Sequence, residues 1–251
     1  DILASWMSEK SGVPAIFGRL FDSKGQAITD DFVIQSNKNK QLSLVALAPH
    51  PQGVLAAWAQ SNIGGSPDGI VGGLIKFDGQ NNNSIDLFVA HNGENSLAME
   101  PSIDSAVDGS FAVSWMSTVD GTRFDPVARR FNQNLNPASK EFTIPSPTIG
   151  SNSGAQIAMA DNGEFVVAFT THQPKAWRGP GHRPDNPSTV HAQKYAVDGK
   201  PNGELFQLNQ FNEGEQSLQV GHNGKHLLWS SHNQIIAAWH GNTGTDHRAV
   251  G

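Results

Sequence analysis

The chain of 251 residues has no cysteine, one tyrosine and only 16% charged residues. Without cysteine there are no disulfide staples, no thiolate metal sites and no thiol nucleophile. A net charge of −6 leaves no basic surplus to displace counterions from phosphates, so nucleic acid is excluded as a generic partner. No apolar run approaches the roughly 18 residues a spanning helix needs, and no stretch keeps a helical period, so no membrane insertion is expected. Also missing are a G-x-S-x-G elbow, a Walker loop and an H-E-x-x-H pair. What the chain has in quantity is turn-formers, with 26 Gly and 14 Pro.

The turns punctuate a repeat of roughly 50 to 60 residues. A glycine turn and an apolar strand ending in an aromatic recur at Gly53–Trp58, Gly109–Trp115, Gly163–Phe169 and Gly224–Trp229, and Ile2–Trp6 reads as the tail of another copy. Each is followed by a second strand-like segment, as in GIVGGLIKFDG, PVARRFNQN and VHAQKYAVDG. Asp108-Gly109, Asn162-Gly163, Asp198-Gly199 and Asn223-Gly224 predict hairpins with type I′ turns, which need positive φ at both central residues. Units of this size cannot bury a hydrophobic face alone and must stack or close on themselves.

The reading is an all-β chain, one β-propeller of five four-stranded blades over residues 1–251, with four blades plus an extension as the rival count. The repeats run approximately 1–36, 42–90, 101–145, 155–209 and 216–251. The chain opens on a strand-like segment, DILASW, which suggests a mature form or a piece of something longer. Its Asn/Gly/Asp-rich turns suggest a secreted, extracellular setting.

Asp68-Gly69-Ile70, Phe77-Asp78, Glu141-Phe142, Gly203–Asn209 and Glu215-Gln216-Ser217 resemble the tandem repeats of about 50 residues in large bacterial secreted proteins. Those proteins often also carry haemolysin-type calcium-binding repeats. The resemblance implies propeller blades similar to adhesin and lectin-like modules, with no shared catalytic residues.

Trp58, Trp115 and Phe169 occupy one position in their repeats, with Trp6 and Trp229 related, and are expected to fill the wedges between blades. Eight of ten histidines follow residue 170. His222 and His226 straddle a predicted turn and are the candidate transition-metal pair, although solvated turn histidines are the simpler reading. Turn aspartates, including Asp68, Asp108, Asp120, Asp125 and Asp198, are candidate calcium ligands, but Asp-Gly also serves turn geometry.

A glycosidase needs two carboxylates across a sugar. If the first strand of each unit is innermost, its acids are Glu100 and Asp104 in one blade and few elsewhere, which argues against hydrolysis. One loop breaks the rhythm. Between Phe169 and Val190 lie 20 residues, about twice the spacing in the other complete units. It carries Lys175, Trp177, Arg178, His182 and Arg183 on a Pro/Gly frame. Tryptophan can stack on a sugar ring, and arginine can hold an anion bidentately. The expected function is therefore a non-enzymatic recognition module, lectin-like or protein-binding, with a glycan or protein surface as partner. A glycan-cleaving or metal-dependent enzyme and a structural spacer are the alternatives.

Overall fold

The computed structural model describes residues 1–10, 12–62, 69–78, 83–93, 96–118, 121–172, 188–210, 214–218, 225–230 and 232–242. All regular structure among them is strand. The first sheet is β1 (Ile2–Lys10), β2 (Val13–Phe21) and β3 (Phe32–Ser36). The second is β4 (Lys40–His50), β5 (Gly53–Asn62), β6 (Gly69–Phe77) and β7 (Asn83–His91). The third is β8 (Leu97–Ser105), β9 (Phe111–Thr118), β10 (Asp125–Phe131) and β11 (Phe142–Thr143). The fourth is β12 (Asn152–Met159), β13 (Phe165–His172), β14 (Ser188–Tyr195) and β15 (Phe206–Gln207). Two ribbons complete the described strands: β16 (Glu215–Ser217) with β19 (His240–Asn242), and β17 (Leu227–Trp229) with β18 (Ile235–Ala237).

Each of the four larger sheets is an antiparallel meander, and each apolar cluster joins one sheet to the next. Ile16, Ile34, Leu42 and Trp58 lie between the first and second sheets. Leu74, Phe88, Phe111 and Trp115 lie between the second and third. Ala128, Ile157, Phe169 and Tyr195 lie between the third and fourth. Val166, Val190, Leu218 and Leu227 bind the fourth to the ribbons. Both faces of each central strand are covered, so these strands read as unbroken apolar runs rather than as alternation. The result is a five-bladed β-propeller. Three blades have four strands, the first has three, and the fifth consists of the two ribbons.

The first strand of the second, third and fourth sheets is the inner one, since β4 packs on β8 and β8 on β12, and β12 in turn packs on β17. All three continuous inner strands bulge at one level, between Ser43 and Ala46, Met99 and Ser102, and Ser153 and Gln156. In the fifth blade the described strands are short. β16 and β17 are the two halves of its inner strand, and β18 and β19 the two halves of its second strand.

This corrects the position of Trp229. The turn after it, with Ser230 N–H donating to the Gln234 carbonyl and Asn233 N–H to the Ser230 carbonyl, repeats the Ala106–Ser110 and Ala160–Glu164 turns that follow inner strands. The member of the aromatic column is Trp239. Trp58, Trp115 and Phe169 are fully buried, each against the preceding blade, and Trp239 packs in the cluster facing blade four. The sequence places GKHLLW and, more weakly, IIAAW as strands; only register separates their roles.

The hairpin geometry also differs from expectation. Gly109 and Gly163 have φ +82° and +88°, but the preceding Asp108 and Asn162 are not in the left-handed region. Ala106 N–H donates to the Ser110 carbonyl, and Gly109 N–H to the Ala106 carbonyl. That is a type I turn with a glycine bulge, which needs one positive φ rather than two.

Candidate active site

Strand order sorts the two ends of the propeller. The tight turns β4–β5, β8–β9, β12–β13 and β10–β11 share one end. At the other end β8, β12 and β16 begin, and β9 and β13 finish. The bulge in β8 lies near this second end and carries Glu100.

Glu100 has φ +57°, a conformation that costs a non-glycine residue about 1–3 kcal/mol. The equivalent bulge of the next blade uses Gly154, φ +64°, where glycine meets no such cost. The strained backbone aims the Glu100 carboxylate at that neighbour, and Oε2 accepts the Gly154 N–H at 3.1 Å. Two further side chains on the same strand repeat the device. Ser102 Oγ accepts the Ile157 N–H at 3.2 Å and Asp104 Oδ2 the Met159 N–H at 2.8 Å. The free edge of β12 is thereby satisfied by side chains of the blade before it.

Beside Gly154, Ser153 Oγ lies 2.9 Å from His172 Nε2, at the end of β13. His172 Nδ1 is buried without a hydrogen-bond partner among the described residues. Burial pulls the His172 imidazole below its ordinary value, against an opposing pull from the Glu215 carboxylate at the start of β16. Glu100, His172 and Glu215 thus come from three successive blades and lie toward the same end of the propeller. His191 extends the polar cluster, with Nδ1 3.4 Å from Thr171 Oγ1 and from Thr189 Oγ1. Burial lowers it too.

Of the residues expected to form a site, Lys175, Trp177, Arg178, His182 and Arg183 lie outside the described residues. Their segment leaves β13 at His172 and rejoins β14 at Ser188, so both anchors belong to the cluster's end of the blade. His222 also lies outside the described residues. His226 donates its backbone N–H to Gln156 Oε1 at 3.4 Å and keeps Nε2 buried, with no hydrogen-bond partner among the described residues. Among the described residues no three His, Asp or Glu side chains converge to hold a metal.

The described turn aspartates have local partners. Asp108 Oδ1 accepts from Ser110 N and Oγ, which holds its carboxyl below the ordinary range. Asp198 is lowered in the same way by Lys200. Asp125 pairs with Arg123 and accepts from Asn152. Asp68 and Asp120 lie outside the described residues.

Sequence reasoning missed Glu215, because the carboxylates were counted strand by strand. Glu100 and Glu215 stand on different blades, and only the ring brings those blades' ends to one side. A signal was present in Glu100-Pro101: a bulky acid followed by proline, in the middle of a strand, is a poor fit to regular pairing.

No protein-family model matches the chain, and no curated protein matches it by sequence. Solved structures do. The GH93 α-L-arabinofuranosidase of Fusarium graminearum, in complex with arabinobiose, is similar over 98% of this chain and 75% of its own, with TM-score 0.51 and 12% identity. A mutant α-L-arabinofuranosidase of the same organism, bound to an iminosugar inhibitor, is similar over 97% of this chain and 71% of its own, with TM-score 0.54 and 12% identity. At this identity the likeness concerns the fold. Both of these solved structures are glycan-cleaving enzymes by their names, which counts against the expected non-enzymatic recognition module and favours its glycan-cleaving alternative. The argument against hydrolysis rests on the scarcity of acids on individual inner strands, and such a count does not consider acids that different blades bring to one end.

Proposed function

We propose that this chain is a glycoside hydrolase acting at the end of the propeller toward which Glu100, His172 and Glu215 lie, on glycans that contain arabinose. The observation that carries the reading is the Glu100 carboxylate on its strained backbone, tied to the next blade, with a second carboxylate, Glu215, near the half-buried His172. Hydrolysis of a glycosidic bond needs two such groups. One protonates the leaving oxygen as the bond to the anomeric carbon breaks. The other acts at that carbon, where water finally supplies the hydroxyl. Glu100, immobilised through Oε2, is the positioned carboxylate at the anomeric carbon, and Glu215, exposed at the strand start, is the proton donor. His172, whose imidazole burial pushes below its ordinary value against the pull of Glu215, is the polar group beside both.

Lys175, Trp177, Arg178, His182 and Arg183 belong to this reading as substrate contacts, because their segment springs from His172. Export from the cell is part of the same proposal, as is kinship with the repeats of bacterial secreted proteins.

The test is release of reducing ends from a panel of arabinose-containing and other neutral glycans. Glu100→Gln and Glu215→Gln are each expected to lower kcat about 10²–10⁴-fold with an unchanged melting temperature. Trp177→Ala is expected to raise KM. Wild-type protein that releases no reducing ends from any glycan in the panel overturns the proposal.

A further inference from the structure

A second concavity lies at the turn end of the propeller, between blades two and three, away from Glu100 and His172. It encloses about 360 Å³, within the size range of small-ligand sites. Four of its lining residues are carboxamides: Gln52 from the β4–β5 turn, and Gln133, Asn134 and Asn136 from the β10–β11 turn. Among the described residues none of these four side chains makes a hydrogen bond, although the backbone N–H groups of Asn134 and Asn136 are both held by Asn132 Oδ1. The turn is therefore ordered from below, and its amide groups are left to face outward. Leu87, 57% exposed, and Leu135 supply apolar surface beside them. The only charges in the lining, Lys76 and Asp86, neutralise each other at 2.7 Å.

Leu135 marks this groove as a departure from the repeat. Three blades use the same turn, in which the fourth residue donates to the carbonyl of the first: Gly25 to Asp22, Leu135 to Asn132 and Gly199 to Ala196. All three have positive φ, +78°, +65° and +82°. Glycine adopts that conformation freely, whereas a branched side chain is strained by it. Blade three alone of these accepts the strain, and its leucine both walls the groove and rests on the core between blades two and three. Local rules broken in one copy of a repeat are where function is expected.

We infer that this groove is a binding site for a neutral saccharide, distinct from the hydrolytic site. A carboxamide both donates and accepts, which matches the two-way hydrogen bonding of a sugar hydroxyl. The leucines offer a surface for the C–H faces of a sugar ring. The internally paired lysine and aspartate leave no net charge to attract an ionic ligand.

The side-chain NH2 groups give a direct readout. Two-dimensional NMR of the full chain, titrated with neutral arabino-, xylo- and gluco-oligosaccharides, is expected to show saturable shifts in the side-chain amide signals of Gln133 and Asn134 for at least one series. The double variant Gln133→Ala/Asn134→Ala is expected to weaken that binding about tenfold or more, while leaving release of reducing ends from short soluble substrates unchanged. Leu135→Gly, which relieves the backbone and removes the wall, is expected to weaken it without lowering the melting temperature below that of the double variant. Three results overturn the inference: no saturable shift with any neutral series at millimolar concentration, binding that survives the double variant, or preference for an acidic uronate oligosaccharide. Because binding is read without turnover, and can be repeated in Glu100→Gln, this test fails or succeeds independently of the proposed hydrolysis.

Discussion

Lys225 Nζ lies 2.9 Å from Asp104 Oδ1, an ion pair that joins the fifth blade to the third and passes over the fourth. The other oxygen of Asp104 accepts the Met159 N–H, so one carboxylate holds three consecutive blades together. Its side chain is only 10% exposed, whereas that of Lys225 is 41% exposed. The two partners should therefore behave unequally. Asp104→Ala leaves a backbone N–H of β12 without its acceptor and is expected to cost about 2–4 kcal/mol. Lys225→Met removes a largely solvated charge and is expected to cost less than about 1 kcal/mol. Denaturant unfolding of both variants checks the asymmetry.

The aromatic column gives a graded prediction. Trp115 and Phe169 fill blade interfaces completely, and truncating either to alanine is expected to cost about 3–5 kcal/mol. Trp239, partly buried and donating from Nε1 to Gln216 Oε1, should cost less. Trp6, 37% exposed and stacked on Phe17, should cost least. If Trp229→Ala proves more damaging than Trp239→Ala, the register of the fifth blade is wrong.

Glycine is required at residue 72 by space rather than by φ. A Cβ there would stand 2.2 Å from Phe88 Cζ and 2.4 Å from the Ala56 carbonyl oxygen. The phenyl ring could swing away, but the β5 backbone could not without breaking its ladder. Gly72→Ala is expected to destabilise by about 1–3 kcal/mol, read as a fall in melting temperature. Gly12→Ala, where a Cβ meets no atom within 4 Å but φ is +75°, isolates the purely conformational cost.

Burial lowers the imidazoles of His50, His172 and His191. At high pH these groups are neutral in both folded and unfolded chains and contribute no pH dependence. As pH falls below about 6.5, the unfolded chain takes up protons that the fold resists, so stability declines until the folded-state values are passed. Asp108, lowered by its hydrogen bonds from Ser110, acts in a more acidic window. Its contribution is present above its ordinary value and disappears as pH falls through the folded-state value. Melting temperature against pH should therefore drop in two stages. His172→Gln should flatten the first and leave the second in place.

The sequence by itself determined that the chain is built from blades. Asp108-Gly109 and Asn162-Gly163 closed the hairpins, even though the turns needed one positive φ rather than two, and the apolar runs ending at Trp58, Trp115 and Phe169 identified strands covered on both faces. These are local relations, in which neighbouring residues decide the conformation of a few bonds. The fifth blade was misread because both Leu227–Trp229 and Ile235–Asn242 satisfy that local pattern. Their roles differ only in what they pair with, β18 for one and the halves of the inner strand for the other.

The site was less legible for the same reason. Glu100 reads as one of two acids on one strand, and His172 and Glu215 stand 72 and 115 residues after it, separations that only ring geometry brings to one end. Asn134 and Leu135 likewise read as an ordinary turn until Gln52 and Leu87 are placed opposite. Hydrogen bonding along a strand is written in sequence order. Convergence of strand ends about an axis is set by how sheets pack, and that was decided only in the tertiary structure.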